Sequence, residues 1–118
     1  VDDIMPNVRP INEKKYQISK RRFAELYNFC LQYNEWKDEL QYKTDNPSAD
    51  RRKELSDKCK LVEQTAIEAG PDIYPYLFKA VTNDLSYNYL KTVMGIPCGK
   101  DMYYDRRKKF YWLLSQKK

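Results

Sequence analysis

The sequence predicts an all-α fold of about five helices, and three observations carry that expectation. Apolar residues recur at steps of three and four through most of the chain, the spacing of one helix face. No run alternates apolar and polar with period two, as a half-buried strand would. The helical windows are separated by residues that stop or start helices: Asn46, Pro47 and Ser48, then Gly70 and Pro71, then Asn83, Asp84 and Ser86, then Gly95 and Pro97. With 118 residues the chain fits one domain and a small core. Residues 1–18 read as an irregular arm and 19–118 as a single helical domain, with a helical hairpin over 19–69 and a second part over 72–118.

The arm carries Pro6 and Pro10 without a clean period, although Ile4, Val8 and Ile11 offer apolar anchors to the body. Ser19 is placed to cap a helix of about six turns reaching Lys43, with Phe23, Leu26, Tyr27, Cys30, Tyr33 and Leu40 at helical spacing and Phe29 and Trp36 on its flank. So wide an apolar stripe predicts packing on more than one neighbour, and the flank is the expected dimer surface if it is left exposed. Asn46 before Pro47 is barred from the helix, and Ser48 can cap a second helix to about Ala69, with Leu55, Cys59, Val62, Ala66 and Ala69 inside. The short connection makes the two an antiparallel N-terminal helical hairpin. Gly70, able to adopt a left-handed cap, and Pro71 end it. Asp72 is the expected cap of a third helix from Ile73 to about Thr82, in which Pro75 is tolerated in the first turn. Ser86 can cap a fourth helix over Tyr87 to Met94, closed by Gly95 and Pro97, and a fifth runs from about Lys100 to Ser115.

Composition excludes several classes of function. The mean hydropathy is -0.90, and no apolar run approaches the roughly twenty residues needed to cross a bilayer. No basic-then-apolar leader opens the sequence, so a cytoplasmic protein without a membrane role is expected. Histidine is absent, which removes the commonest general base and metal ligand. The three cysteines, Cys30, Cys59 and Cys98, form no CxxC pair and indicate neither a disulfide framework nor a zinc site. Cys30 and Cys59 fall on apolar faces, whereas Cys98 lies in a turn and is expected to be more exposed. Carboxylate pairs such as Asp38 and Glu39 sit on a solvated face, and the three glycines form no phosphate-cradling loop. The expectation is a non-enzyme with no cofactor and no metal.

Charge supplies the positive signal. The chain holds 22 basic and 17 acidic residues, and Lys100 to Lys118 alone contain seven and two of them. The first 99 residues are therefore neutral, and the whole net charge of +5 lies at one end. Such concentration asks for an anionic partner or is a solvated helix face. The order of elements favours the first: a short helix LSYNYLKTVMG with Leu90, Val93 and Met94 as its inner face, a turn at Gly95, an apolar anchor at Ile96, then the basic helix KDMYYDRRKKFYWLL. Helix, glycine turn and basic amphipathic helix are the parts of a C-terminal helix-turn-helix. In the second helix Tyr103, Phe110, Leu113 and Leu114 face inward, with Met102 and Arg106 at the boundary and Lys100, Asp101, Tyr104, Asp105, Arg107, Lys108 and Tyr111 outward.

The run YLKTVMGIPCGKDMYYDRRKKFYWLL resembles the C-terminal helix-turn-helix of sigma-factor region four, and more closely the bacteriophage transcriptional regulators of the RinA/ArpU type. The likeness covers about the last third of the chain. It implies a phage or prophage DNA-binding protein that regulates transcription. Two departures stand in the turn. Pro97 replaces the Ser or Thr that caps the second helix in that family, leaving the cap to Cys98 or Gly99, and the spacing from Gly95 to Met102 is one residue longer.

On a DNA reading, residues at the start of the basic helix meet base edges and later ones meet phosphates. Lys100, Asp101, Tyr104 and Arg107 are the candidate base readers, Arg107 being equally able to grip phosphate. Arg106, Lys108, Lys109, Lys117 and Lys118 are the candidate phosphate contacts. For Arg106 and Lys109 an alkyl stem lying on the core is an equal alternative. For Tyr103, Phe110 and Trp112 core packing is favoured over base stacking. Tyr74, Tyr76, Tyr87 and Tyr89 lack the basic neighbours of a single-strand platform and read as core or partner contacts. Duplex DNA is the expected partner, with a homodimer also open. The competing reading is a phage-encoded inhibitor or adaptor that binds RNA polymerase or another nucleic-acid-handling protein through the same end.

Overall fold

The computed structural model describes residues 16–42 and 48–118, and every regular element among them is helical. Five helices follow one another, the first broken into α1 (Lys20–Leu31) and α2 (Tyr33–Tyr42). Then come α3 (Ala49–Ala69), α4 (Tyr74–Asn83), α5, which is α-helical over Tyr87–Tyr89 and π-wound over Leu90–Met94, and α6 (Lys100–Lys117). Most of the expected arm and the residues of the turn before Ser48 lie outside the described residues. Within them, Tyr16 is buried with its ring 5.7 Å from that of Trp112.

Three serines start helices as their positions predict. The Ser19, Ser48 and Ser86 hydroxyls accept from the amides of Arg22, Arg51 and Tyr89 at 3.1, 3.2 and 3.2 Å, each cap contributing about 1 kcal/mol. Asp72 does not cap α4. Ile73 occupies that position without a side-chain hydrogen bond, because the chain first makes a tight turn in which the Ile73 amide donates to the Gly70 carbonyl at 3.1 Å. Gly70 is not left-handed either, with φ -154°. A Cβ there would meet Arg106 Cδ and Ile73 Cγ1 at 3.3 Å, so its smallness serves the close approach of α6.

The single helix expected from Ser19 to Lys43 is interrupted at Gln32, where φ is -87° and ψ -5° and the amide donates to the Phe29 carbonyl at 3.2 Å. This tightened turn re-aims the apolar stripe. Ahead of it, α1 buries Phe23, Leu26, Tyr27 and Cys30 and packs on α4 and α6. After it, α2 packs along α3, with the Tyr33 hydroxyl donating to Glu63 and the Tyr33 ring edge-on to Phe78 at 4.9 Å. The hairpin over 19–69 is thus built by α2 and α3, while α1 serves other neighbours. Trp36, placed by its spacing on the flank of the helix, is buried, with Phe29 4.9 Å from it and Lys58 Nζ 5.5 Å above its ring. Trp36 is therefore withdrawn from that flank, while Phe29 stays half-buried.

Helix α6 packs on α3, α1 and α4, so the basic C-terminal helix is also a central beam of the core. Tyr103, Phe110, Tyr111 and Leu114 are fully buried along it, spaced as one helix stripe. Phe110 and Leu114 face inward, as their spacing predicts, but the helix ending at Met94 is not the main bed of α6. Instead α5 leans on α4, and α3 provides the main bed for α6.

Candidate nucleic-acid interface

The turn between α5 and α6 is fastened from both sides. Gly95 adopts φ 72°, the left-handed region in which glycine carries no Cβ penalty. Its amide donates to the Leu90 carbonyl, as does the Ile96 amide at 3.0 Å, closing the π-wound segment. Ile96 is buried as the expected anchor. The Tyr87 hydroxyl donates to the Cys98 carbonyl at 2.7 Å, and the Tyr87 ring lies 5.8 Å from Tyr103 on α6. Cys98, expected to be exposed, is held inside by this bolt. Gly99 is the N-cap of α6 and supplies no side-chain hydrogen bond, so the first-turn amides are left without an intramolecular side-chain cap.

The π winding corrects the inner face of α5. Leu90 is buried and Met94 half-buried, but Val93 is 63% exposed. A π turn holds more residues than an α turn, so the surplus residue is rotated outward.

The candidate DNA-contacting residues separate into groups. Lys100 and Asp101 are exposed on the first turn of α6; Tyr104, Lys108 and Lys109 are half-buried. Lys100, Tyr104 and Lys108 follow at steps of four and share a face with Asp101. Arg107 does not belong to that face. It is only 7% exposed, its guanidinium carbon 5.6 Å from the Phe23 ring centroid and 5.2 Å from that of Tyr111. Planar and weakly hydrated, an arginine stacks between rings at lower desolvation cost than a lysine. Both Arg107 and Tyr111 were expected outward, and both are core because α1 closes that side of α6.

Other cations of the C-terminal end have intramolecular partners. Arg106 Nη2 lies 3.4 Å from Asp72 and its Nη1 3.0 Å from Asp105, while its stem rests on Gly70. Lys117 Nζ lies 3.0 Å from Glu68, and Lys118 Nζ stands 4.5 Å over the Phe29 ring. At about 1.5 Å rise per residue, Lys117 and Lys118 are about 25 Å along the helix from Lys100. They do not join a site at its start. The basic end that looks uniform in sequence is therefore divided between internal pairing and an exposed first turn.

Two residues beside the turn went unassigned in the sequence. Lys91 and Thr92 on α5 are exposed. The signal available was their place between the inner positions Leu90 and Met94. Burial pushes up the Cys30, Cys59 and Cys98 thiols, away from reactive thiolates. Among the described residues no group of His, Cys, Asp and Glu could hold a metal ion, and no helix is long and apolar enough to cross a membrane.

No protein-family model, curated protein or solved structure matches the chain. What the site can do rests on its own residues.

Proposed function

We propose that the chain is a DNA-binding transcriptional regulator of phage type, contacting duplex DNA through the exposed first turn of α6. The observation that carries the reading is the fastened turn. Left-handed Gly95, buried Ile96 and the Tyr87 to Cys98 bolt hold that turn at a fixed angle, with Lys100 and Asp101 exposed. Such preorganisation removes the backbone part of the ordering cost, leaving only that of the side chains that meet the base edges. Lys100, Asp101 and Tyr104 are the base-reading set, and Lys91, Lys108 and Lys109 the phosphate contacts. Arg107 acts from inside by holding α6 to α1. Arg106, Lys117 and Lys118 contribute field more than contact, since each is engaged intramolecularly. The open first-turn amides of α6 add donors suited to a phosphate oxygen. Neither catalysis nor a cofactor is part of the proposal.

Salt dependence tests it. If about three or four phosphates are neutralised, log affinity for duplex DNA falls against log salt with a slope of about -3 to -4. Lys91→Ala should flatten that slope by about one unit on every sequence, whereas Lys100→Ala should alter preference by about 1 to 3 kcal/mol at one base pair. Absence of binding to genomic fragments at low salt would sink the reading in favour of a protein partner.

A further inference from the structure

The π-wound half of α5 leaves a surface that the DNA reading does not use. Val93 is 63% and Tyr89 43% exposed, four residues apart on one short helix. Beside them a groove of about 360 Å³ is lined by Lys79, Asn83, Leu85, Tyr89 and Met94, where the end of α4 meets α5. The groove is shallow and largely open to solvent, a shape that suits a protruding side chain. Large apolar side chains left exposed beside a concave surface mark contacts with other molecules.

We propose that this groove docks a segment of another protein that carries a leucine or phenylalanine flanked by carboxylates. The occupant follows from charge. Among the described residues Lys79 is the one charged side chain lining the groove, no carboxylate lines it, and Lys79 forms no ion pair. The chain as a whole is +5. A second copy has no net negative charge to offer Lys79, its first 99 residues being neutral and its C-terminal end basic. DNA would find an apolar floor and a single cation. An acidic segment with an apolar tip satisfies both features: the tip fills the groove between Leu85, Tyr89 and Met94 beside Val93, and a carboxylate meets Lys79. Asn83 is already tied to α2, accepting from the Asn34 amide at 2.9 Å, so the wall it forms is fixed before the partner arrives.

The test uses the full chain and two labelled peptides of about twelve residues, one carrying Leu and Phe among glutamates, the other with every Glu replaced by Lys. Fluorescence anisotropy should show the acidic peptide bound at least about tenfold more tightly. Val93→Asp should abolish that advantage, and Lys79→Glu should reverse it toward the basic peptide. Both substitutions are at exposed positions, and unchanged far-UV circular dichroism with an unchanged thermal midpoint confirms that each variant is folded. Equal affinity for the two peptides, binding of neither at millimolar concentration, or an acidic-peptide affinity indifferent to both substitutions would overturn the proposal. So would self-association by sedimentation that Val93→Asp removes, since it would assign the face to a second copy.

Discussion

Replacing Phe110 by Ala probes whether the helix that presents the interface is also the beam of the core. Phe110 is fully buried on α6, its ring edge-on to Tyr111 with centroids 5.0 Å apart. Burying a phenylalanine is worth about 1.5 to 3 kcal/mol of transfer free energy. The cavity left when its neighbours fail to collapse raises the total cost to about 3 to 5 kcal/mol. Since α6 is bounded by α3, α1 and α4, collapse would require three helices to shift together, which favours the upper half of that range. Domains of this kind hold about 5 to 15 kcal/mol in all, so the loss is a large share. Thermal denaturation should move down by roughly 12 to 25 °C, taking about 3 to 5 °C per kcal/mol for a chain of this length. Urea unfolding gives the free energy directly, with an unchanged m-value showing that the native state keeps its extent. Lys100→Ala, at an exposed position, is the control and should fall within about 0.5 kcal/mol of the parent. A loss below about 1 kcal/mol for Phe110→Ala would remove this ring from the core and with it the central placement of α6.

Gly95→Ala should cost about 1 to 2 kcal/mol from the left-handed backbone alone, because an added Cβ meets nothing within 4 Å; a neutral result in urea melts would mean the turn relaxes without penalty. Arg107→Lys should lower stability by about 1 to 2 kcal/mol through lost stacking on Phe23 and Tyr111 while leaving base preference intact; altered preference at one base pair with unchanged stability would return Arg107 to the reading set. Burial pushes the Tyr103 phenol up from 10.0 to about 12, so its contribution is intact below pH 10 and is lost as pH rises toward 12. The alkaline limb should fall by about 2 to 3 kcal/mol from this group, and Tyr103→Phe should remove that share while the buried Tyr27, Tyr33 and Tyr111 phenols keep theirs. An identical limb in that variant would place the titration elsewhere.

The helical architecture was legible because local signals agreed with one another. Serine caps, glycine stops and three-four spacing marked the start of α1, all of α3 and the whole of α6, and Ile96 and Gly95 took the roles their positions implied. What escaped the sequence depended on who lies beside whom. Nothing in a string of residues shows that α1 turns at Gln32, since the side chain there is an ordinary helix former. Nor does it show that a fifth helix will be enclosed by three others, which is why Arg107 reads as outward and proves buried. The π winding of α5 shifted Val93 by a fraction of a turn, enough to move it from expected core to the most exposed of the large apolar side chains described. Charge was the least readable property: the basic run is visible in the sequence, but Asp72 and Glu68, which pair with Arg106 and Lys117, lie more than thirty residues away.

Mapping by nuclear magnetic resonance tests the central claim most directly. Amide shifts of the labelled chain should be followed as duplex DNA is added at low salt. The account predicts the largest changes at Lys100, Asp101 and Tyr104, with Lys91 and Thr92 next, and little at Lys117, Lys118 or the groove beside Val93. Changes concentrated at the groove or at the far end of α6, or none at all with saturating DNA, would contradict it.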